Sequence, residues 1–221
     1  MAHEQGSANY LQLADWRRRI AALYAQVRDR AATDPIAAWT YWCAIREALY
    51  RTHTQSPVPA LVRADFRARY FPYDPALRFE TTVLPLVGEA GPPDAAAGGS
   101  GLAIPTSGGG TMGFQRLGWV EVPFPGGPHR LLLSWLTDYA GGLFLSFRDG
   151  TNGAATYGGG RYLFDAAKGA DLGGDADRGT VILDFNFAYH PSCAFDPRWV
   201  CPLVPPENRL ALPLQAGERL V

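Results

Sequence analysis

The chain has 221 residues, of which 47% are hydrophobic, and its 20 basic and 21 acidic residues leave a net charge of −1. That length can bury a sizeable core without a disulfide framework. The near-even charge supplies no global field toward nucleic acid or an anionic membrane, so neither is expected as a partner.

The opening MAHEQGSANYLQLADW lacks a basic start followed by an apolar run, and a cytoplasmic location is expected on that ground. Leu13, Trp16, Ile20, Leu23, Tyr24 and Val27 recur at three- and four-residue intervals, which predicts one face of a helix from about Asn9 to Asp29. Arg17, Arg18 and Arg19 fall mostly off that face and read as a solvated side rather than a nucleic-acid patch. The apolar face itself is a candidate contact for a homo-oligomer.

In TDPIAAW, Thr33 or Asp34 offers an N-cap and Pro35 stands in the first turn, so a second helix is expected from about Pro35 to Arg51. Cys43 follows Trp39 by four residues on its apolar face and reads as core.

From THTQSPVP onward, short apolar runs alternate with glycine and proline, the texture of a sheet. Strands are expected at Arg78 to Leu86, Arg116 to Phe124, His129 to Leu136, Gly142 to Phe147, Gly160 to Phe164, Thr180 to Phe187 and Leu210 to Leu214. The longest apolar runs are strand-sized, far short of the ~20 residues that cross a bilayer as a helix. The expected fold is mainly β, a β-sandwich or partly closed antiparallel barrel with two N-terminal α-helices. Residues 1–34 are read as a helical extension and 35–221 as one β-rich domain opening with a helix. Gly88 to Gly101 and Ser107 to Gly113 read as mobile loops. Asp171, Asp175 and Asp177 faintly suggest calcium ligands but lack the carboxylate series of a known loop, so a hairpin connection is preferred.

Two stretches hold candidate chemistry. In FRDGTNGAATYGGGRYL, three successive glycines permit positive φ or close backbone approach, with Arg148, Thr151, Tyr157 and Arg161 as polar neighbours. No Lys-Ser or Lys-Thr follows, so this is not a phosphate-binding loop. In TVILDFNFAYHPSCAFDPRWVCPLVPPENRL, period-two alternation would put Leu183, Phe185, Phe187 and Tyr189 on one face and Asp184 and Asn186 on the other. Cys193 and Cys201 are too far apart for a compact zinc site, and only His190 lies near them, so no metal is expected. A Cys–His nucleophile pair, packing, a conditional disulfide and a thiol lining a pocket all remain open readings. Pro191, Pro197, Pro202, Pro205 and Pro206 each fix φ and make the connection stiff.

These two motifs, with RTHTQSP, YFPYDPALRF and the terminal LQAGE, resemble the bacterial domain of unknown function family 1684 over roughly Trp39 to Val221. The resemblance implies a location rather than a reaction. Its motif positions fall on Arg148, Asp149, Thr151, Tyr157, Gly158, Gly159, Gly160, Arg161, Tyr162, Asp184, Asn186, Tyr189, Cys193, Cys201, Pro202 and Asn208, with His53 in an earlier motif. His190 stands where the family more often has asparagine. Related chains sometimes carry secretory signals, so the resemblance leaves a Cys193–Cys201 disulfide open.

The leading expectation is a small-molecule pocket where the Arg148–Arg161 loop meets Asp184, Asn186 and the Tyr189–Asn208 segment. Cys193 would be a nucleophile and Asp184 a base. Arg148, Thr151, Tyr157, Arg161, Asn186, Tyr189 and Asn208 would contact the ligand. No motif names a cofactor. The alternative is a non-catalytic interaction module whose polar motif residues are buried structural ties.

Overall fold

The computed structural model describes residues 2–86, 101–137 and 141–220, with side chains of the first helix from Asn9 onward. Helix α1 (Ala2–Ala31) runs longer than its apolar stripe requires, and α2 (Pro35–Thr52) begins where the sequence places it. Asp34 caps α2 by accepting the Ala37 N–H at 2.9 Å, and Pro35 supplies a first turn that needs no donor. At the other end His53 Nε2 lies 3.2 Å from Asp15 and its ring meets Trp16 edge-on, tying the end of α2 to α1.

Among the described residues ten strands follow: β1 (Arg69–Tyr70), β2 (Arg78–Leu84), β3 (Gly101–Pro105), β4 (Thr111–Phe124), β5 (Gly127–Leu136), β6 (Gly142–Phe147), β7 (Arg161–Asp165), β8 (Gly174–Asp175), β9 (Thr180–Asp184) and β10 (Glu218–Arg219). The main sheet is antiparallel in the order β7-β6-β5-β4-β2-β9-β8, with β3 added to β4, while β1 and β10 form a separate pair. The sheet curls into a half-barrel, so of the two expected β architectures the partly closed barrel is the one adopted.

Each face of the sheet has its own core. On one, Phe114, Phe144, Tyr162 and Phe187 pack against Ile20, Leu23, Tyr24 and Val27 of α1 and Trp42 of α2. On the other, Val120, Leu131, Leu133, Leu145, Phe147, Leu183 and Phe185 cluster. Strand β6 shows the cause: Phe144 points to the helices while Leu145 and Phe147 alternate around the bulge to the second core. At ~1.5–3 kcal/mol per fully buried large apolar side chain, both cores contribute to holding the sheet. The α1 face expected to meet a second copy is therefore used within the chain: Ile20 and Leu23 are buried, and Leu13 and Trp16 are half-buried.

Three expectations are corrected. The strand expected to reach Phe187 stops at Asp184, because Asp184 Oδ1 accepts the Asn186 N–H at 3.0 Å and turns the chain into a 3₁₀ turn over Phe185–Phe187. Asp184, Phe185, Asn186 and Phe187 are consequently all buried, not sorted onto two faces. Leu210 to Leu214 is irregular chain: Leu210 N–H donates to Arg148 O and Leu212 O accepts from Gly150 N–H, while Pro213 has no donor. Finally, Thr111 to Gly113, expected in a mobile loop, pairs with Ala103 to Pro105 in a hairpin. The glycine-rich stretch 88–100 lies outside the described residues.

Candidate functional site

The motif residues separate into structural ties and a thiol cluster. Arg161 is fully buried and pairs with Asp149 at 2.6 Å, while it also donates to Leu214 O at 3.0 Å and to Ala216 O. Burial pulls the Arg161 guanidinium below its ordinary range, and the Asp149 carboxylate opposes that pull. Asp149 in turn accepts from the Thr151 N–H and hydroxyl at 2.7 and 2.6 Å, and Thr151 meets the Thr156 hydroxyl at 2.8 Å. The loop is thereby riveted to the C-terminal segment. Gly160 has φ 101° and lies so close to Phe147 O that a Cβ would stand 2.6 Å from it, which only glycine tolerates.

Asn208 accepts the Leu132 N–H at 2.6 Å and donates to Leu132 O and Ser146 O at 3.0 and 2.8 Å. The backbone of Arg148 bonds to this same segment, its N–H donating to Asn208 O at 2.9 Å. Asp184 accepts from Tyr73 at 3.0 Å and lies 3.8 Å from Arg78, with burial raising its carboxyl above the ordinary range. Asn186 exchanges hydrogen bonds with the backbone of Asp74, and its carbonyl accepts from Trp39 of α2 at 3.0 Å. Asp184, Asn186 and Asn208 thus spend their polar groups on the fold, as does Arg161 apart from its buried, unpartnered Nε–H.

Tyr157 and Cys193 do come together. The Tyr157 hydroxyl lies 3.9 Å from Cys193 Sγ, and both residues are partly exposed. Beneath them Cys201 is buried, its Sγ accepting the Cys193 N–H at 3.4 Å. Ser107, on the β3–β4 turn, accepts the Cys201 N–H at 3.0 Å and donates its own N–H to Cys201 O at 2.9 Å. Hydrogen bonding from the Cys201 thiol, then from Tyr157 and Ser107, outweighs burial and lowers Cys193 to about 6. The same contact with Cys193, followed by burial, pushes Cys201 far up. The outer thiol is thus the more acidic of the two. His190 is buried behind Tyr157: its Nε2 accepts the Tyr157 N–H at 3.2 Å, its own N–H donates to Glu218 at 2.7 Å, and burial keeps the imidazole below its usual pKa.

Tyr189 belongs to a different feature, a chamber of about 50 Å³ between the helices and the sheet. Its walls are Trp16, Tyr24, Trp42, Tyr50, Tyr162 and Tyr189, with Arg46, Asp165 and Lys168 as charged groups. Arg46 pairs with buried Glu218 at 2.8 Å and lies over Tyr50 and Tyr189 at 4.2 and 4.7 Å, leaving its buried Nε–H without a partner. Lys168 pairs with Asp165 at 2.9 Å. This ion pair also borders a second chamber of about 250 Å³ whose walls include Met112, Phe114, Leu136, Phe144, Val200 and Pro202. Of these walls, sequence reasoning named Tyr189 as a ligand contact, Tyr162 as a motif position, and Trp16 and Tyr24 as a helix's apolar face. Arg46 sits within an apolar helical stretch that gives no hint of the aromatic walls brought to it from β7 and the C-terminal segment.

Among the described residues, no three His, Cys, Asp or Glu side chains are grouped to hold a metal. Asp171 and Asp175 instead accept backbone N–H groups of their own turns. Among the described residues, no helix is long and apolar enough to cross a membrane.

Comparison with known proteins bears on the same region. The family described as "Protein of unknown function (DUF1684)" matches residues 65–219. The solution structure of an uncharacterized protein of Haloarcula marismortui is similar at 30% identity and a TM-score of 0.58, over 87% of this chain and 97% of that one. No curated protein matches.

Proposed function

The chain belongs to the DUF1684 family, and we propose that it binds a small, uncharged, largely apolar molecule through one oxygen acceptor, between the two helices and the half-barrel. The observation that carries this reading is the buried, unpartnered Nε–H of Arg46, a residue of the aromatic chamber's wall. A buried donor left unpaired costs ~1–3 kcal/mol, and an oxygen seated in the chamber would recover that cost.

Charge decides what kind of oxygen. In the aromatic chamber Arg46 is neutralised by Glu218 and Lys168 by Asp165, so no cation beside the Arg46 Nε–H remains to compensate a carboxylate buried there, while Arg17 lines the adjoining chamber. A ketone, ester or amide oxygen accepts the same hydrogen bond without that penalty. The walls of the adjoining chamber are mostly apolar, Met112, Phe114, Leu136 and Phe144 among them, with Arg17, Asp165 and Lys168 as its charged groups, and it suits an aliphatic or aromatic body. Its volume of about 250 Å³ lies below the ~300–1,000 Å³ of drug-sized ligand sites. At ~30 Å³ per water-sized group, the ligand has on the order of ten non-hydrogen atoms.

Methyl octanoate and octanoate at pH 8 are suitable probes, with the fluorescence of Trp16 and Trp42 as readout. The ester is expected to bind saturably and the anion at least about tenfold more weakly, the cost of one unpaired buried charge being well above 1.4 kcal/mol. Arg46→Lys keeps a charge for Glu218 but removes the Nε donor and should weaken the ester about tenfold. Met112→Trp fills the outer chamber and should abolish binding. Equal binding of ester and anion, or wild-type binding by both folded variants, would refute this reading.

A further inference from the structure

The thiol cluster lies outside those chambers and has the parts of a second activity. Cys193 is partly exposed and Cys201 is buried directly beneath it, their contact fixed by the Cys193 N–H to Cys201 Sγ bond at 3.4 Å. The frame is stiff. Pro191 and Pro202 flank the pair, Ser107 clamps Cys201 through two hydrogen bonds, and Tyr162 donates to Pro202 O at 2.5 Å. Tyr157 places a hydroxyl beside the outer sulfur and is itself held by His190.

We propose that Cys193 and Cys201 form a peroxidatic and resolving pair that reduces hydroperoxides, with an external dithiol as reductant. In the first step Cys193 Sγ, as thiolate, attacks the terminal oxygen of ROOH. The S–O bond forms as the O–O bond breaks, and the departing alkoxide takes a proton from the Tyr157 hydroxyl or water. Sulfur is oxidised to sulfenic acid and the peroxide is reduced to an alcohol. In the second step Cys201 loses its proton and attacks Cys193 Sγ, so the S–S bond forms as the S–OH bond breaks and water leaves. An external dithiol then exchanges with the disulfide, restoring both thiols and leaving as its own disulfide. The exposed sulfur meets the oxidant, while the buried one, poorly ionised in the resting protein, is spared direct oxidation.

The test treats the full-length reduced protein with equimolar cumene hydroperoxide and reads intact mass and peptide maps. Wild type should lose the mass of two hydrogens and yield a Cys193–Cys201 linked peptide. Cys201→Ser and Cys201→Ala should instead gain one oxygen and react with dimedone at Cys193, and Cys193→Ser should do neither. Tyr157→Phe should slow the reaction on the order of threefold at pH 7 and move its pH profile upward, because the thiolate loses one of its donors. Whichever Cys201 variant folds suffices. Unchanged wild-type mass, or oxidation that persists in Cys193→Ser, would overturn the proposal.

Discussion

Asp149 and Arg161 meet at 2.6 Å with both side chains fully buried. Removing one partner of such a pair strands the other charge, so Asp149→Asn should cost ~3–5 kcal/mol in urea unfolding. Replacing both, as Asp149→Leu with Arg161→Met, should cost less than the sum of the two single changes. A guanidinium kept available for ligand would behave differently, with Asp149→Asn altering stability by no more than ~0.5 kcal/mol.

Asn208 bridges β5 and β6 from the end of a 3₁₀ turn over Pro206–Asn208, using both ends of its amide on Leu132 and Ser146. Asn208→Ala leaves three buried backbone groups without that partner and should cost roughly 3 kcal/mol at ~1–3 kcal/mol per orphaned group. Asn208→Asp turns the donor into an acceptor facing two carbonyl oxygens and should be worse. Denaturant midpoints that rank Asp above Ala would show that the amide is not a tie.

Why the sequence conveyed the fold better than the site can be traced to particular residues. The stripe from Leu13 to Val27 and the Asp34–Pro35 start are local signals, and both helices follow them. β1, β8 and β10 are two-residue strands whose pairing depends on distant partners, so no periodicity announces them. Asp184 carries two messages: strand alternation puts it on the face opposite Leu183 and Phe185, while its Asx turn onto Asn186 ends the strand, and the turn prevails. Tyr157 and Cys193 were readable as chemistry-bearing residues, whereas Ser107 and Arg46 reach their sites only through contacts 94 and 172 residues away in sequence.

The three glycines beside Tyr157 are not equivalent. Gly160 has φ 101°, and a Cβ there would stand 2.5 Å from Val204 and 2.6 Å from Phe147 O. Gly160→Ala should therefore cost more than ~2 kcal/mol, since the left-handed conformation alone costs ~1–2. At Gly158 the nearest atom would be 3.9 Å away and Gly158→Ala should leave stability nearly unchanged. A Cβ at Gly159 would touch the Tyr157 ring at 2.4 Å, so Gly159→Ala should fold but swing that ring and slow thiol alkylation at pH 7. Thermal melts and iodoacetamide rates on the three variants separate a backbone requirement from a site requirement.

His190 makes the stability of this corner depend on pH. Its folded pKa is depressed, chiefly by burial, below the ~6.5 of an unfolded histidine. Between those two values the unfolded chain binds a proton that the folded chain does not, so stability is complete above about pH 6.5 and falls with acidification at up to ~1.4 kcal/mol per pH unit. Charging the ring would also turn Nε2 from the acceptor of the Tyr157 N–H into a donor pointed at it. Glu218, whose carboxylate lies 4.0 Å from Nδ1, opposes the depression but already serves Arg46 and the His190 N–H. His190→Gln can retain an acceptor toward Tyr157 without titrating. Urea unfolding at pH 7.5, 6.5 and 5.5 should therefore show the wild type losing its advantage over His190→Gln as the pH drops, and a pH-independent gap would mean that the imidazole is not held neutral.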